Sequence, residues 1–210
     1  MAKLKIQNTL GNCKEEFIPI DPSHIRIYAC GPTVYDYAHI GNARMAVVND
    51  LLTRLLRQLF PKVTYVSNIT DIDDKIIHEA QKIGKPFQEL TRKFETIYNK
   101  DMAALGVQSP DIQPRATNHI NEMIELIKKL IAHGQAYEKE GHVLFHVPSF
   151  QKYGCLSGRN RDQQIAGSRI EVAPFKKDPT DFILWKPSSD QLPGWDSPWG
   201  FGRPGWHLEC

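Results

Sequence analysis

The sequence predicts an α/β protein: a doubly wound βα start on a parallel sheet, followed by a mixed insert. Three observations carry this. An alternating apolar run closes on a Gly-Pro pair, a long apolar-periodic helix follows, and a second β-branched run comes straight after it. Strand, helix and strand in that compass form a βαβ unit, whose strands run parallel through a right-handed crossover.

The first strand is His24–Ala29, ended at Cys30-Gly31-Pro32 because proline cannot donate to a ladder. In the helix beyond the loop, Met45, Val48, Leu52, Leu55, Leu56 and Leu59 fall three or four apart and predict the inward face. Pro61 stops it. Val63–Val66 is the second strand. A helix follows Asp71 and ends at Gly84, and another carries Phe87, Leu90, Phe94, Ile97 and Tyr98 to Gly106. Asn118 is the expected cap of a helix with Ile120, Ile124, Ile127 and Ile131 inward and Gly134 as its stop. Val143–Val147 reads as a strand. From Pro148 the chain turns rich in Gly, Pro and Ser, as in a small sheet or a long excursion.

At 210 residues, 41% hydrophobic and 10% aromatic, the chain can bury a core, which excludes a disordered or fibrous character. A net charge of +2 makes no electrostatic case for a nucleic-acid partner, so any such contact is local or lies elsewhere. The N-terminus lacks the pattern of a signal peptide, and no run approaches the roughly 20 apolar residues that span a membrane. Cys13, Cys30, Cys155 and Cys210 are scattered without a CxxC pair, which predicts reduced thiols in a cytoplasmic protein.

The segment Cys30–Arg44 joins a strand end to a helix start, the place where parallel α/β sheets bind ligands and where free helix N–H groups face anions. His39 and Asn42 carry donors suited to phosphate oxygens, and Gly41 lets a flat ring approach the backbone. The bland alternative is an ordinary capping loop. For Cys30 and Cys210 spacing suggests no pairing, and the bland reading is a buried apolar thiol.

His39-Ile40-Gly41-Asn42 resembles the HIGH motif of class I aminoacyl-tRNA synthetases, with Asn in place of the last His. Three longer blocks, Tyr28–Asp36, Asn68–Ile76 and Gly202–Cys210, are similar to cysteinyl-tRNA synthetases in particular. Weaker pieces at Pro114–Thr117 and Asp181–Lys186 lie between them in order.

The resemblance covers nearly the whole chain and implies a Rossmann-like class I catalytic domain. Its first half spans residues 1–120, a connective-peptide insert 121–200, and the start of a second half 201–210. It implies ATP, with Mg2+, as the substrate that activates L-cysteine to cysteinyl adenylate, and tRNA(Cys) as the acceptor, in a monomer. His39 and Asn42 are the implied catalytic residues; His39, Gly41 and Asn42 the ATP site; Gly31, Thr70 and Trp206 the cysteine pocket.

Cys30 and Cys210 match two of the family's four zinc ligands. Zinc favours sulfur and selects a thiolate over a hydroxyl, where an apolar pocket discriminates by about 10²-fold or less. His207 and Glu209 match no ligand position. The other two ligands, the lysine-rich KMSKS-type loop and the anticodon-binding domain match nothing in this sequence, so the chain alone is expected to be inactive. The same motifs fit a zinc-dependent cysteine ligase with an amino-sugar acceptor. Asp71, Asp73 and Asp74 admit a magnesium reading, though acids opening a helix commonly complement its dipole.

Overall fold

The computed structural model describes residues 3–159, 163, 174–205 and 208. The described residues divide into two compact units, one of residues 19–120, the other of residues 3–18 with those described from 121 onward.

Near the N-terminus β1 (Lys5–Asn8) and β2 (Cys13–Glu16) form an antiparallel hairpin, Lys5 opposite Glu16 and Asn8 opposite Cys13. Asn12 turns it at φ 46, a left-handed conformation that asparagine tolerates. Its strands are short and mostly exposed, and the sequence reading did not find it.

In the unit of residues 19–120, β3 (Ile25–Ala29), α1 (Ile40–Leu59) and β4 (Val63–Ser67) make the βαβ arrangement. The strands are parallel, with Ile25 opposite Val63 and Ala29 opposite Ser67. Parallel bridges extend the pairing: Thr33 to Thr70 past the strand ends, and Val66 to Ile112 and Ile69 to Arg115 on the other side of β4. Two helices follow, α2 (Asp74–Ile83) and α3 (Phe87–Ala104). Val34, Ile69, Ile76, Ala80, Leu90 and Phe94 form the core between loop, sheet and helices. α2 stops where Gly84 enters the left-handed region at φ 66.

Two expectations are corrected here. The inward face of α1 is Ala46, Thr53 and Leu56, while Val48, Leu55 and Leu59 are exposed. Apolar residues run round more than one side of this helix, so periodicity could not choose among them. Small Ala46, packed with Tyr98 and Met102, decides it. Nor does Asn118 cap a helix. It lies within a 3-10 turn, Ala116–His119, that feeds directly into α4 (Ile120–Ala132).

The second unit takes most of α4, with Met123, Ile124 and Ile127 buried and Gly134 turning at φ 71. A four-stranded antiparallel sheet follows in the order β5 (Ala136–Lys139), β6 (His142–Phe145), β7 (Phe182–Pro187), β8 (Gly202–Pro204). Glu140 and Gly141, both at positive φ, close the β5–β6 hairpin, as the twist of a tight hairpin requires. Val143, Leu144 and Trp185 are the inner side chains.

One carboxylate ties this unit together. Asp181, 1% exposed, accepts from Tyr137 Oη at 2.7 Å, the Val147 N–H at 3.0 Å, the Asp178 N–H at 3.1 Å and His146 Nδ1 at 3.2 Å. Tyr137 is pushed up to about 12, chiefly by burial, against the Lys177 N–H that its oxygen accepts and with Asp181 reinforcing the shift.

Candidate active site

The C-terminal ends of β3 and β4 lie side by side, and the loop Cys30–His39 leaves from one of them. Gly31 is forced by the close approach of the neighbouring strand. A Cβ there would sit 1.6 Å from the Asn68 carbonyl oxygen, so no other residue fits without moving the backbone. The Gly31 N–H donates to Asn68 Oδ1 at 2.7 Å. Beside it the loop re-pairs with the end of β4: the Thr70 N–H donates to the Pro32 carbonyl at 3.0 Å, and the Val34 N–H to the Thr70 carbonyl at 3.2 Å. Thr70 is 4% exposed and takes a hydrogen bond from Asn68 Nδ2 at 3.3 Å. Gly31 and Thr70, predicted together, are therefore brought together.

Cys30 is exposed and outside any disulfide, with Sγ 3.9 Å from the Gly31 carbonyl. Its exposure at a strand end removes the reading of a buried packing thiol. Cys155 is also exposed. Cys210 and Trp206 lie outside the described residues, as do His207 and Glu209.

The loop ends in the cap of α1. His39 is the N-cap residue, with extended backbone. Its Nδ1 accepts from the Gly41 N–H at 3.0 Å, and its own N–H donates to Asn42 Oδ1 at 3.1 Å. These reciprocal bonds have a chemical consequence. An imidazole accepting at Nδ1 carries its proton on Nε2, and an amide accepting through Oδ1 turns its Nδ2 outward. Nε2–H and Nδ2–H have no partner among the described residues, and they sit at the positive end of a 20-residue helix. Gly41 is needed here for an unforeseen reason. The flat ring lying on its backbone is the His39 imidazole itself, which a Cβ would meet at 2.8 Å.

The carboxylates after β4 are occupied. Asp71 accepts from the Thr117 N–H at 2.9 Å and Thr117 Oγ1 at 2.6 Å, and Asp73 caps α2 by accepting from the Lys75 N–H at 2.8 Å. Their roles are structural. Among the described residues no three His, Cys, Asp or Glu side chains come together as a metal cage. Cys30 offers the sulfur zinc favours, yet a single described ligand does not complete a zinc site.

Asn68 was overlooked: the sequence reading assigned it no role. Its signal was position, an amide directly after an apolar strand and two residues before Thr70.

With this geometry in view, the family comparison is decisive: residues 16–210 match the family described as tRNA synthetases class I (C) catalytic domain. The chain belongs to that family. Among similar proteins are the cysteine–tRNA ligase of Rhodospirillum rubrum, 61% identical over 99% of this chain and 45% of its own length, and that of Parvibaculum lavamentivorans, 60% identical over 99% and 44%. The cysteine–tRNA ligase of Acidiphilium cryptum is 57% identical over 100% and 47%. The chain thus spans a little under half the length of the curated relatives it matches.

The fold is shared more widely. Methionyl-tRNA synthetase of Mycobacterium tuberculosis, solved with methionyl-adenylate, superposes at a TM-score of 0.51 over 55% of this chain and 23% of its own, at 21% identity. A putative arginyl-tRNA synthetase of Campylobacter jejuni does so at 0.50 over 63% and 39%, at 15% identity. The parallel sheet and its α/β surroundings are those of class I synthetases.

Proposed function

We propose that this chain serves a cysteine–tRNA ligase, which activates L-cysteine with ATP to cysteinyl adenylate and passes it to the 3′ end of tRNA(Cys). The observation that carries the reading is the open pair of donors at the head of α1, His39 Nε2–H and Asn42 Nδ2–H, held outward by the cap.

In this reading a carboxylate oxygen of cysteine attacks the α-phosphorus of ATP and pyrophosphate leaves with the bonding electrons. The two donors, at the positive end of the α1 dipole, meet the phosphate oxygens as negative charge builds on them. Charge-assisted bonds fixed in place before reaction require no reorganisation when it occurs. Gly41 keeps the imidazole folded onto the helix, so that one nitrogen caps while the other binds. Mg2+ arrives with the nucleotide.

Gly31, Thr70 and Trp206 are proposed to hold the amino acid, and Cys30 with Cys210 to give two thiolates to zinc. Bound zinc would favour the ionised thiol of the substrate over a serine hydroxyl; the described residues do not complete that site. The similarity of nearly the entire chain to cysteine–tRNA ligases supports a tRNA acceptor over an amino sugar. A monomer in the cytoplasm is part of the same proposal; the unbridged Cys13, Cys30 and Cys155 suit reducing conditions. Among the described residues no helix is long and apolar enough to cross a membrane.

The test is amino-acid-dependent ATP–pyrophosphate exchange by the complete gene product, followed by transfer to tRNA(Cys) or to an amino sugar. Exchange with cysteine exceeding that with serine by more than about 10²-fold, and transfer to tRNA alone, are expected. Equal exchange with both amino acids, or transfer to the sugar, contradicts the reading.

A further inference from the structure

α1 is buried on one side and bare on the other. Ala46, Thr53 and Leu56 face the core. Ile40, Val47, Val48, Leu51, Leu55 and Leu59 are between 42% and 86% exposed. At 3.6 residues per turn these six fall within an arc of about 120°, diametrically opposite the buried three. They make one stripe along the whole 20-residue helix, roughly 30 Å long and about 10 Å wide. Singly scattered apolar residues need no explanation, but a contiguous patch on the order of 300 Å² is the size at which interaction sites begin.

The stripe does not suit a nucleic acid or a lipid surface. Arg44 is the one cation within it, and Arg54 at its border is paired with Asp50 at 2.8 Å. A phosphate backbone is met by several unpaired Lys and Arg side chains. A membrane-surface helix sets its apolar face against a charged, solvated one. Here the opposite face is core, with Ala46 packed on Tyr98 and Met102. A protein surface is the matching partner, and one is at hand in the same polypeptide. This chain spans 45% of the length of the Rhodospirillum rubrum relative and 44% of the Parvibaculum lavamentivorans one, so more than half of each has no counterpart in it.

We infer that the exposed side of α1 is an intramolecular interface, covered in the complete gene product by a segment of the polypeptide outside residues 1–210. The inference goes beyond the ligase reading and does not depend on it. It has a consequence for the site, because His39 and Asn42 stand at the head of this helix. A segment seated along the stripe fixes the direction in which their outward donors point.

The test is photo-cross-linking in the complete gene product, with p-benzoylphenylalanine in place of Leu51 and the joined peptides mapped by mass spectrometry. The expected product is a cross-link within one molecule to a peptide outside residues 1–210, in a yield unchanged by dilution. A covalent dimer, a cross-link to a peptide within residues 1–210, an adduct with added tRNA, or no adduct at all would overturn the inference.

Leu51→Ala, milder than the bulky replacement, gives a second reading should the first variant misfold. Truncating a covered leucine should raise the unfolding equilibrium constant of the complete gene product about thirtyfold or more. A change within about twofold, as at an ordinary surface position, would contradict the interface. Either contradiction leaves the ligase reading standing, since pyrophosphate exchange by the parent tests that separately.

Discussion

Each unit of the chain is organised by a polar cluster, and the two clusters are in opposite states. Around Asp181 the bonding is closed: a carboxylate with no exposure receives four donors from Tyr137, His146, Val147 and Asp178. At the head of α1 it is half open. His39 and Asn42 each spend one polar atom on the cap and present another outward. A cluster that satisfies itself holds structure, because any loss inside it leaves buried groups unpaired. One that satisfies only its inner half is ready for a ligand. Asp71 and Asp73 belong with the first kind despite lying near the site, since their oxygens are taken up by Thr117 and the α2 cap.

The largest effect expected from this contrast is on stability. Asp181→Ala leaves a buried Tyr137 hydroxyl and two backbone N–H groups without an acceptor, and should cost about 3–5 kcal/mol in urea unfolding of the 210-residue chain. A loss below about 1 kcal/mol, the range of ordinary surface changes, would break the comparison. Gly31→Ala comes next. Its Cβ meets the Asn68 carbonyl at 1.6 Å, so overpacking should cost about 1–3 kcal/mol in the same measurement. It should also weaken cysteine binding, where Asp181→Ala leaves the affinity of the folded molecules as it was.

Gly41→Ala sharpens the other side. The added methyl displaces the imidazole, yet alanine gains about 0.5–1 kcal/mol of helix propensity against a lost cap of about 1 kcal/mol. Melting should hardly move while pyrophosphate exchange slows about tenfold, the equivalent of a weakened charge-assisted bond. The smallest effect is alkaline. Burial pushes Tyr98 up to about 12 from an ordinary value of 10.0, and Tyr137 behaves alike. A folded-state pKa above the unfolded one stabilises the protein fully below pH 10, and this contribution is lost as pH rises from there toward about 12. Tyr98→Phe should flatten part of that decline in melts across the interval.

Much of the fold was legible because local signals agreed. Pro61, Gly84, Gly106 and Gly134 stop elements where chain geometry demands it, and β3, β4, α2 and α3 appear within a few residues of expectation. The inward face of α1 was not legible, because too many of its sides are apolar, and the N-terminal hairpin has no buried alternation to announce it.

The site divides in the same way. His39, Gly41 and Asn42 stood out by their place between strand and helix, although neither the tautomer nor the ring folded over Gly41 could be read from order alone. Asn68 and Asp181 escaped because a buried polar side chain declares its partners only once distant segments meet. The pairing of Thr117 with Asp71 and of Arg115 with Glu95 gives structural meaning to residues that resemblance alone had marked.

The central claim is that His39 works on the reaction through the nitrogen it does not use for the fold. The most direct measurement is cysteine-dependent ATP–pyrophosphate exchange by the complete gene product and its His39→Ala variant, with a melting curve for each. Loss of the outward donor should slow exchange by about 10²-fold or more, with a stability loss near the 1 kcal/mol of a missing cap and cysteine binding nearly intact. Equal exchange rates, or a slowing matched by collapse of the melting transition, would contradict it.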